Sequence, residues 1–393
     1  MNPLHRRARI AVMAVFFVTG ATFATWASRV PAARDRLALS DGELAIGLLG
    51  LSAGAVLGLL AAGAVTVRLG SRAASAVGLV VMCGSLSLIT LVPGLAGLAV
   101  VLFVLGAGNS VLDVATNVQA AVVERAYGRP IFGGFHAFWS LGGLAGAAIG
   151  AAAAGAGVGV AGHFTAIGAA MLLGGLAGCS RYLPDPAGRD GARRRPTAFA
   201  LPDRALLALG LIGFCAFMAE GTVNDWAALY LTRVAHAGEG TAALAYFGFS
   251  IAMVAGRLVA DRVVVRTGPA RFVRLAAGVS TGGITLGLVL TSPAAGLVGF
   301  ALLGLGLAGT VPVIFSAACR VRPESTGTAI AAVATLGYLG FLVGPVVIGG
   351  LAELLGLRLA LAVTVVLTAT MGALVPHAGD VEAGRPRSRS GVR

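Results

Sequence analysis

The sequence predicts an all-α integral membrane protein of about twelve transmembrane helices, arranged as two pseudo-symmetric six-helix bundles. Three observations carry that expectation. Of the 393 residues, 57% are hydrophobic and only 11% are charged, against roughly 25% charged in soluble domains. About twelve runs reach the ~20 mostly apolar residues that a span requires. The two halves of the chain also repeat each other. The 59 glycines lie mainly among Ala, Leu and Val, where small residues let membrane helices approach closely.

In order, the spans of the first half fall near 10–28, 44–66, 74–92, 95–118, 131–154 and 160–180. Those of the second fall near 205–232, 241–262, 272–291, 295–318, 327–350 and 359–376. The basic start, Arg6 to Arg9, precedes an apolar run without a clear small-residue cleavage site, so it reads as the first helix rather than a removed signal peptide. Between spans six and seven, RYLPDPAGRDGARRRPTAFALPDR is too polar to insert. The resulting organisation is an N-terminal six-helix bundle (1–182), a cytoplasmic linker (183–203), a C-terminal six-helix bundle (204–376) and a cytoplasmic tail (377–393).

The repeat is most visible where 50–70 aligns without gaps onto 248–268. Gly50, Ser52, Val56, Gly58, Leu60, Val65, Arg68 and Gly70 recur as Gly248, Ser250, Val254, Gly256, Leu258, Val263, Arg266 and Gly268. Trp26 likewise corresponds to Trp226, and the alternative role for this pair is interfacial anchoring. A duplicated six-helix unit is an architecture of many secondary transporters, with substrate bound between the halves near the midplane.

The formal charge of +13 comes from 29 basic residues, all arginine. All but Arg29, Arg34, Arg36, Arg233 and Arg358 fall in or beside segments on one membrane side. The positive-inside rule makes that side the cytoplasm and places both termini there, in the cytoplasmic membrane. The charge therefore reports topology and contact with membrane lipids, not nucleic-acid binding. Cys83, Cys179, Cys215 and Cys319 stand singly in or beside apolar spans and read as packing residues.

One intramembrane acid sets the functional problem. Asp113 lies in span four, where a charge costs at least ~3 kcal/mol and usually faces a cavity or partner. Asn109, Asp113 and Asn117 recur at i, i+4 and i+8 on nearly one helix face. In span seven, Glu220 is followed on the same face by Asn224, while Asp225 turns about 140° away. A carboxyl group whose surroundings change between two facings of a cavity can load and release a proton. Asp113 and Glu220 are thus candidate proton-coupling residues, with a structural hydrogen-bonding role as the alternative for each. His136, with Trp139 and Ser140 at i+3 and i+4, offers a ring donor, a stacking surface and a hydroxyl; the other reading is a histidine at the interface. Thr328, Thr335 and Tyr338 share a face of span eleven, where hydroxyls serve either substrate or helix packing.

Twelve spans in two related halves around a basic central loop resemble the major facilitator superfamily, over nearly the whole chain. That family carries Gly-x-x-x-Asp-Arg-x-Gly-x-Arg between its second and third helices. This chain has GAVTVRLGSR, keeping Gly63, Arg68, Gly70 and Arg72 with Val67 at the acid's position. Asp261 and Arg262 stand one turn up the corresponding helix of the second half. The resemblance implies a gating role for Arg68, Gly70, Arg72, Asp261 and Arg262, with the charge relay incomplete in the first half.

Three stretches further resemble the fucose-permease group of sugar:proton symporters. LDVATN (112–117) is similar to its Leu-Glu-Thr-Ala-Ala-Asn, which implies Asp113 as the proton-handling acid and Asn117 as its partner. VPVIFS (311–316) is similar to its Phe-Pro-Thr-Ile-Phe-Ser. HAFWSLG (136–142) places His136 where the group has a substrate-binding Gln. The group's helix-one acid is absent; ATFATWASRVP carries Arg29 instead. Gly133, Gly142, Gly146 and Gly150 partly match an antiporter glycine pattern of span five, with Ala147 and Ala151 departing from it.

The expected function is secondary active transport of a small, at least partly polar solute, as proton-coupled symport by a monomer. Asn109, Asn117, His136, Trp139, Asn224, Thr335 and Tyr338 are the candidate substrate-binding residues. Proton-driven efflux of drugs or metabolites is one alternative, and a non-transporting sensor or scaffold is another. No HExxH, GxSxG or paired intramembrane aspartates point to an enzyme, and no selectivity ring points to a channel. No cofactor, metal or nucleotide-binding loop is read, so an ion gradient is the expected energy source.

Overall fold

The computed structural model describes residues 3–39, 41–184 and 204–381. Most of the expected linker (185–203) and tail (382–393) lies outside the described residues. Within them, all regular structure is helical: α1 Pro3–Ser28, α2 Val30–Arg36, α3 Asp41–Leu88, α4 Leu95–Tyr127, α5 Phe132–Gly155 and α6 Val160–Cys179, then α7 Arg204–Arg233, α8 Glu239–Thr267, α9 Pro269–Leu290, α10 Pro293–Leu307, α11 Thr310–Val321, α12 Thr326–Leu355 and α13 Leu357–Leu374.

Ten helical segments among the described residues are long and apolar enough to cross a membrane. The difference from twelve has two physical sources. α3 runs through residues expected to form two spans, but Gly70 inside it has φ 77° and ψ 156° and separates them. In α8, Arg257, Asp261, Arg262 and Arg266 dilute the apolar run. The expected tenth span divides into α10 and α11, because Pro312 has no N–H to give the carbonyl of Ala308.

The interior is mainly apolar, but large apolar side chains also cover the outside. Leu57, Val80, Leu173, Val346 and Leu354 are all more than half exposed, whereas Thr25, Ser71, Asn117 and Gln119 are fully buried. An apolar solvent favours this arrangement, because polar groups must find their partners inside the protein.

The described residues form two compact units. Unit 1 comprises those up to 184 with Arg322–Thr335, and unit 2 comprises 204–321 with Leu336 onward. In unit 1, α1 packs on α5 and α6, and α3 packs on α4. Gly142 and Gly146 lie against the backbone of Phe17 and Ala21, where any side chain would collide. The glycine spacing of the fifth span is therefore used in the α1–α5 crossing. In unit 2, Gly256 makes the same kind of approach to Leu305 and Ala308.

The internal repeat extends to backbone conformation. Gly268 has φ 81° and ψ 155°, nearly identical to Gly70, in a region that residues with a Cβ rarely enter. Four of the five arginines set apart by the charge analysis bind carbonyls. Arg36 donates to Thr90, Ile89 and Val92, and Arg358 to Leu288 and Val289. Arg34 donates to Leu39 and Arg29 to Val158. Arg36 and Arg358 satisfy carbonyls at or just beyond helix C-termini, which the helices leave unpaired. Trp26 is only 2% exposed and packs on Phe164 at 6.4 Å between ring centroids. It is a core residue of unit 1 rather than an interfacial anchor.

Candidate functional site

α4 is ~50 Å long, and Asp113 lies near its middle, ~27 Å from Leu95 and ~21 Å from Tyr127. The Asn117 side chain, one turn on, folds back toward it. Its Nδ2 donates to Asp113 Oδ1 at 3.0 Å and to the Asp113 carbonyl at 2.9 Å. From α5, His136 Nε2 lies 3.3 Å from Asn117 Oδ1. With Nδ2 committed to Asp113, Oδ1 is the accepting end of the amide. The imidazole therefore carries its hydrogen on Nε2, an assignment fixed by the network.

His136 is 9% exposed, so its ring is enclosed by protein. Phe16 of α1 is tilted against its ring at 5.1 Å, and Phe132 stacks at 6.1 Å. Ser140 Oγ donates to the His136 carbonyl at 3.2 Å. Trp139 and Ser140 are half-buried, as is Asn109 one turn before Asp113. Unit 1 thus joins Asp113, Asn117 and His136 into one hydrogen-bonded chain across two helices.

Unit 2 holds its acid differently. Glu220, ~24 Å along α7 from Arg204, is half-buried and interacts electrostatically with Arg257 of α8, which is 8% exposed. Asn224 and Asp225 are exposed. Tyr338 packs on Phe217 at 5.2 Å and Phe341 at 6.1 Å. Thr335, which belongs to unit 1, donates from Oγ1 to the Ala331 carbonyl at 2.7 Å, so its hydroxyl hydrogen serves its own helix. Sequence reasoning passed over Arg257. The available signal was its place in the repeat, opposite Leu59, a buried apolar residue of the first half.

Of the residues with an implied gating role, Arg68 and Arg262 are exposed and Asp261 is half-buried. Arg72 Nη2 donates to the Tyr182 carbonyl at 2.6 Å. Among the described residues no three His, Cys, Asp or Glu side chains gather as a metal site.

Comparison with known proteins places these observations in a family. The chain is 33% identical over 367 residues to an uncharacterized MFS-type transporter of Yersinia pestis, covering 93% of this chain and 94% of that protein. A family model described as Major Facilitator Superfamily matches residues 209–391. The structure superposes on the E. coli fucose:proton symporter FucP with a TM-score of 0.78 at 16% identity, covering 94% of this chain and 98% of that one. It superposes on the human organic anion transporter MFSD10 with a TM-score of 0.74 at 18% identity, covering 95% and 100%. At such identities the two superpositions report the fold alone. Composition, helical architecture and relatives converge: the chain belongs to the major facilitator superfamily, a family of multi-pass membrane transporters that move small molecules and are not enzymes.

Proposed function

We propose that the protein is a proton-coupled symporter of a small, partly polar solute, working by alternating access in the cytoplasmic membrane with both termini in the cytoplasm. Asp113 is the proton acceptor in this reading, and His136, Trp139 and Asn109 face the solute. The carrying observation is the hydrogen-bonded chain from His136 through Asn117 to Asp113. The fold shared with a fucose:proton symporter agrees with it.

The chain suggests how a proton on Asp113 is felt at the substrate face. When Asp113 is ionised it only accepts hydrogen bonds, so Asn117 Nδ2 turns toward it and Oδ1 accepts from His136. A protonated Asp113 gains one O–H and keeps an oxygen that accepts from Asn117 Nδ2, which is also held by the Asp113 carbonyl. The amide therefore keeps its orientation, and proton binding changes the charge beside Asn117 and, through it, the strength of the bond to His136. No proton passes through the amide; Asn117 orients and does not relay.

Glu220 is the alternative coupling acid. Taking up a proton there would remove a negative charge that acts on the buried Arg257, which opposes protonation. The efflux reading has less support, since the fifth-span glycines at 142 and 146 are accounted for by helix packing.

The test is proton flux into proteoliposomes on addition of sugars and small metabolites, wild type beside Asp113→Asn. Solute-evoked proton uptake that disappears in the variant is the expected result. Flux unchanged in Asp113→Asn would overturn the assignment and move coupling to Glu220.

A further inference from the structure

Arg29, between α1 and α2, sits beside the start of α6. It is 6% exposed, and its Nη2 donates to the Val158 carbonyl at 2.8 Å, two residues before that helix begins. Its Nε and Nη1 are buried, and no described residue accepts from them. His163, on the first turn of α6, is 4% exposed, and neither of its ring nitrogens has a partner among the described residues. The two side chains interact electrostatically. Trp26 and Phe164 wall the region, with His163 5.9 Å from the Phe164 ring.

The electrostatics all share one sign. A guanidinium stays charged in a protein, and a buried charge without a partner is strongly unfavourable. The first turn of α6 adds unpaired N–H groups and about half a positive charge, and its N-cap, Gly159, has no side chain to satisfy them. Asp35, the acid nearest in sequence, is exposed on α2. A compact negative charge is the complement missing from this arrangement. The burial of Arg29 and His163, beneath exposed Ala161 and Gly162, favours a small free ion over a lipid headgroup.

We propose that Arg29, His163 and the first turn of α6 form a binding site for one small inorganic anion of the size and charge of chloride. The ion bridges the free guanidinium nitrogens and the imidazole, and ties the loop after α1 to α6.

The experiment is thermal unfolding of the purified full chain in neutral detergent. Sodium gluconate is replaced by chloride or bromide at constant ionic strength. A ligand that binds only the folded state raises Tm saturably, and a rise of a few degrees is expected with either halide. The rise should vanish in Arg29→Gln and in His163→Leu and persist, weakened, in Arg29→Lys. Anomalous scattering from bromide beside Arg29 in wild-type crystals would support the site even if a variant fails to fold. Equal Tm in gluconate and halide overturns the proposal, as does a halide shift that survives both variants. An ordered water beside Arg29 in place of bromide overturns it too, as does a Tm rise only with anionic lipid.

Discussion

Asp113 in unit 1 and Glu220 in unit 2 both sit near the middle of a long apolar helix, yet their neighbours are opposite in kind. Asp113 is held by the neutral amide of Asn117 and, through it, by His136. Glu220 faces the charge of Arg257. Protonating a carboxylate held by neutral donors removes a charge and strands no cation. Protonating one beside a buried guanidinium takes away part of that cation's balance. The proposed division gives proton exchange to unit 1 and electrostatic support of Arg257 to unit 2, and the predictions on these acids test it.

The largest expected effect is that of Asp113→Asn, which should reduce solute-driven proton uptake to background while solute exchange across the membrane continues. Counterflow of labelled solute separates the two, since exchange needs alternating access but no net proton movement. Loss of both activities would make Asp113 a binding or folding residue instead. Next comes Glu220→Gln, which removes a negative charge that acts on the buried Arg257. The single variant should lose folded yield and thermal stability, because a buried cation depends on nearby negative charge. Adding Arg257→Leu, which installs the side chain found at Leu59, should recover most of both. A stable Glu220→Gln that has lost proton flux would reverse the assignment of the two acids.

A smaller effect is expected at His136. His136→Phe preserves the packing against Phe16 and Phe132 but removes the bond to Asn117. Solute affinity should fall by about tenfold, matching a hydrogen bond worth ~1.5 kcal/mol, and protons moved per solute should fall because the link from Asp113 to the solute face is cut. The ratio of proton to solute flux, measured beside KM, checks this. An unchanged ratio would show that coupling does not run through His136.

How much of this was legible in the sequence follows from the range of each interaction. Asp113 and Asn117 are four residues apart on one helix, so their contact follows from helical geometry alone. His136 is nineteen residues from Asn117 in sequence; no periodicity links them, and only the resemblance of a short motif placed His136 at the site. Arg257 escaped notice because it lies in the charged half of α8, among Asp261, Arg262 and Arg266, where one more arginine reads as part of the loop-side charge. Its burial depends on how α8 packs, which local sequence does not encode. The five arginines set apart by their position in the charge pattern are similar. Charge statistics marked them as exceptions, but only the structure shows that Arg36 and Arg358 bind carbonyls at helix ends. The twelve spans were readable because apolar length is a local property. The split between α10 and α11 had a local cause in Pro312 that the apolar count passed over.

The smallest expected effect probes whether the two halves match in energy as well as in backbone angles. Gly70 and Gly268 occupy the same region, φ 77° and 81° with ψ 156° and 155°, although the chain around them differs. Alanine at either should cost roughly 1–3 kcal/mol, because this backbone region is essentially open only to glycine. A Cβ on Gly268 meets nothing within 4 Å, so the backbone strain is its whole cost. Thermal unfolding of Gly70→Ala beside Gly268→Ala should give similar losses of Tm. Transport can still diverge. Gly70 lies between Arg68 and Arg72, and the latter holds the Tyr182 carbonyl; Gly268 is followed by Pro269, which already restricts the chain. Equal stability loss with a larger transport loss in Gly70→Ala would show that the first-half bend matters to the cycle beyond its role in folding, even with Val67 in place of the acid. Equal losses of both would reduce the two glycines to equivalent turns.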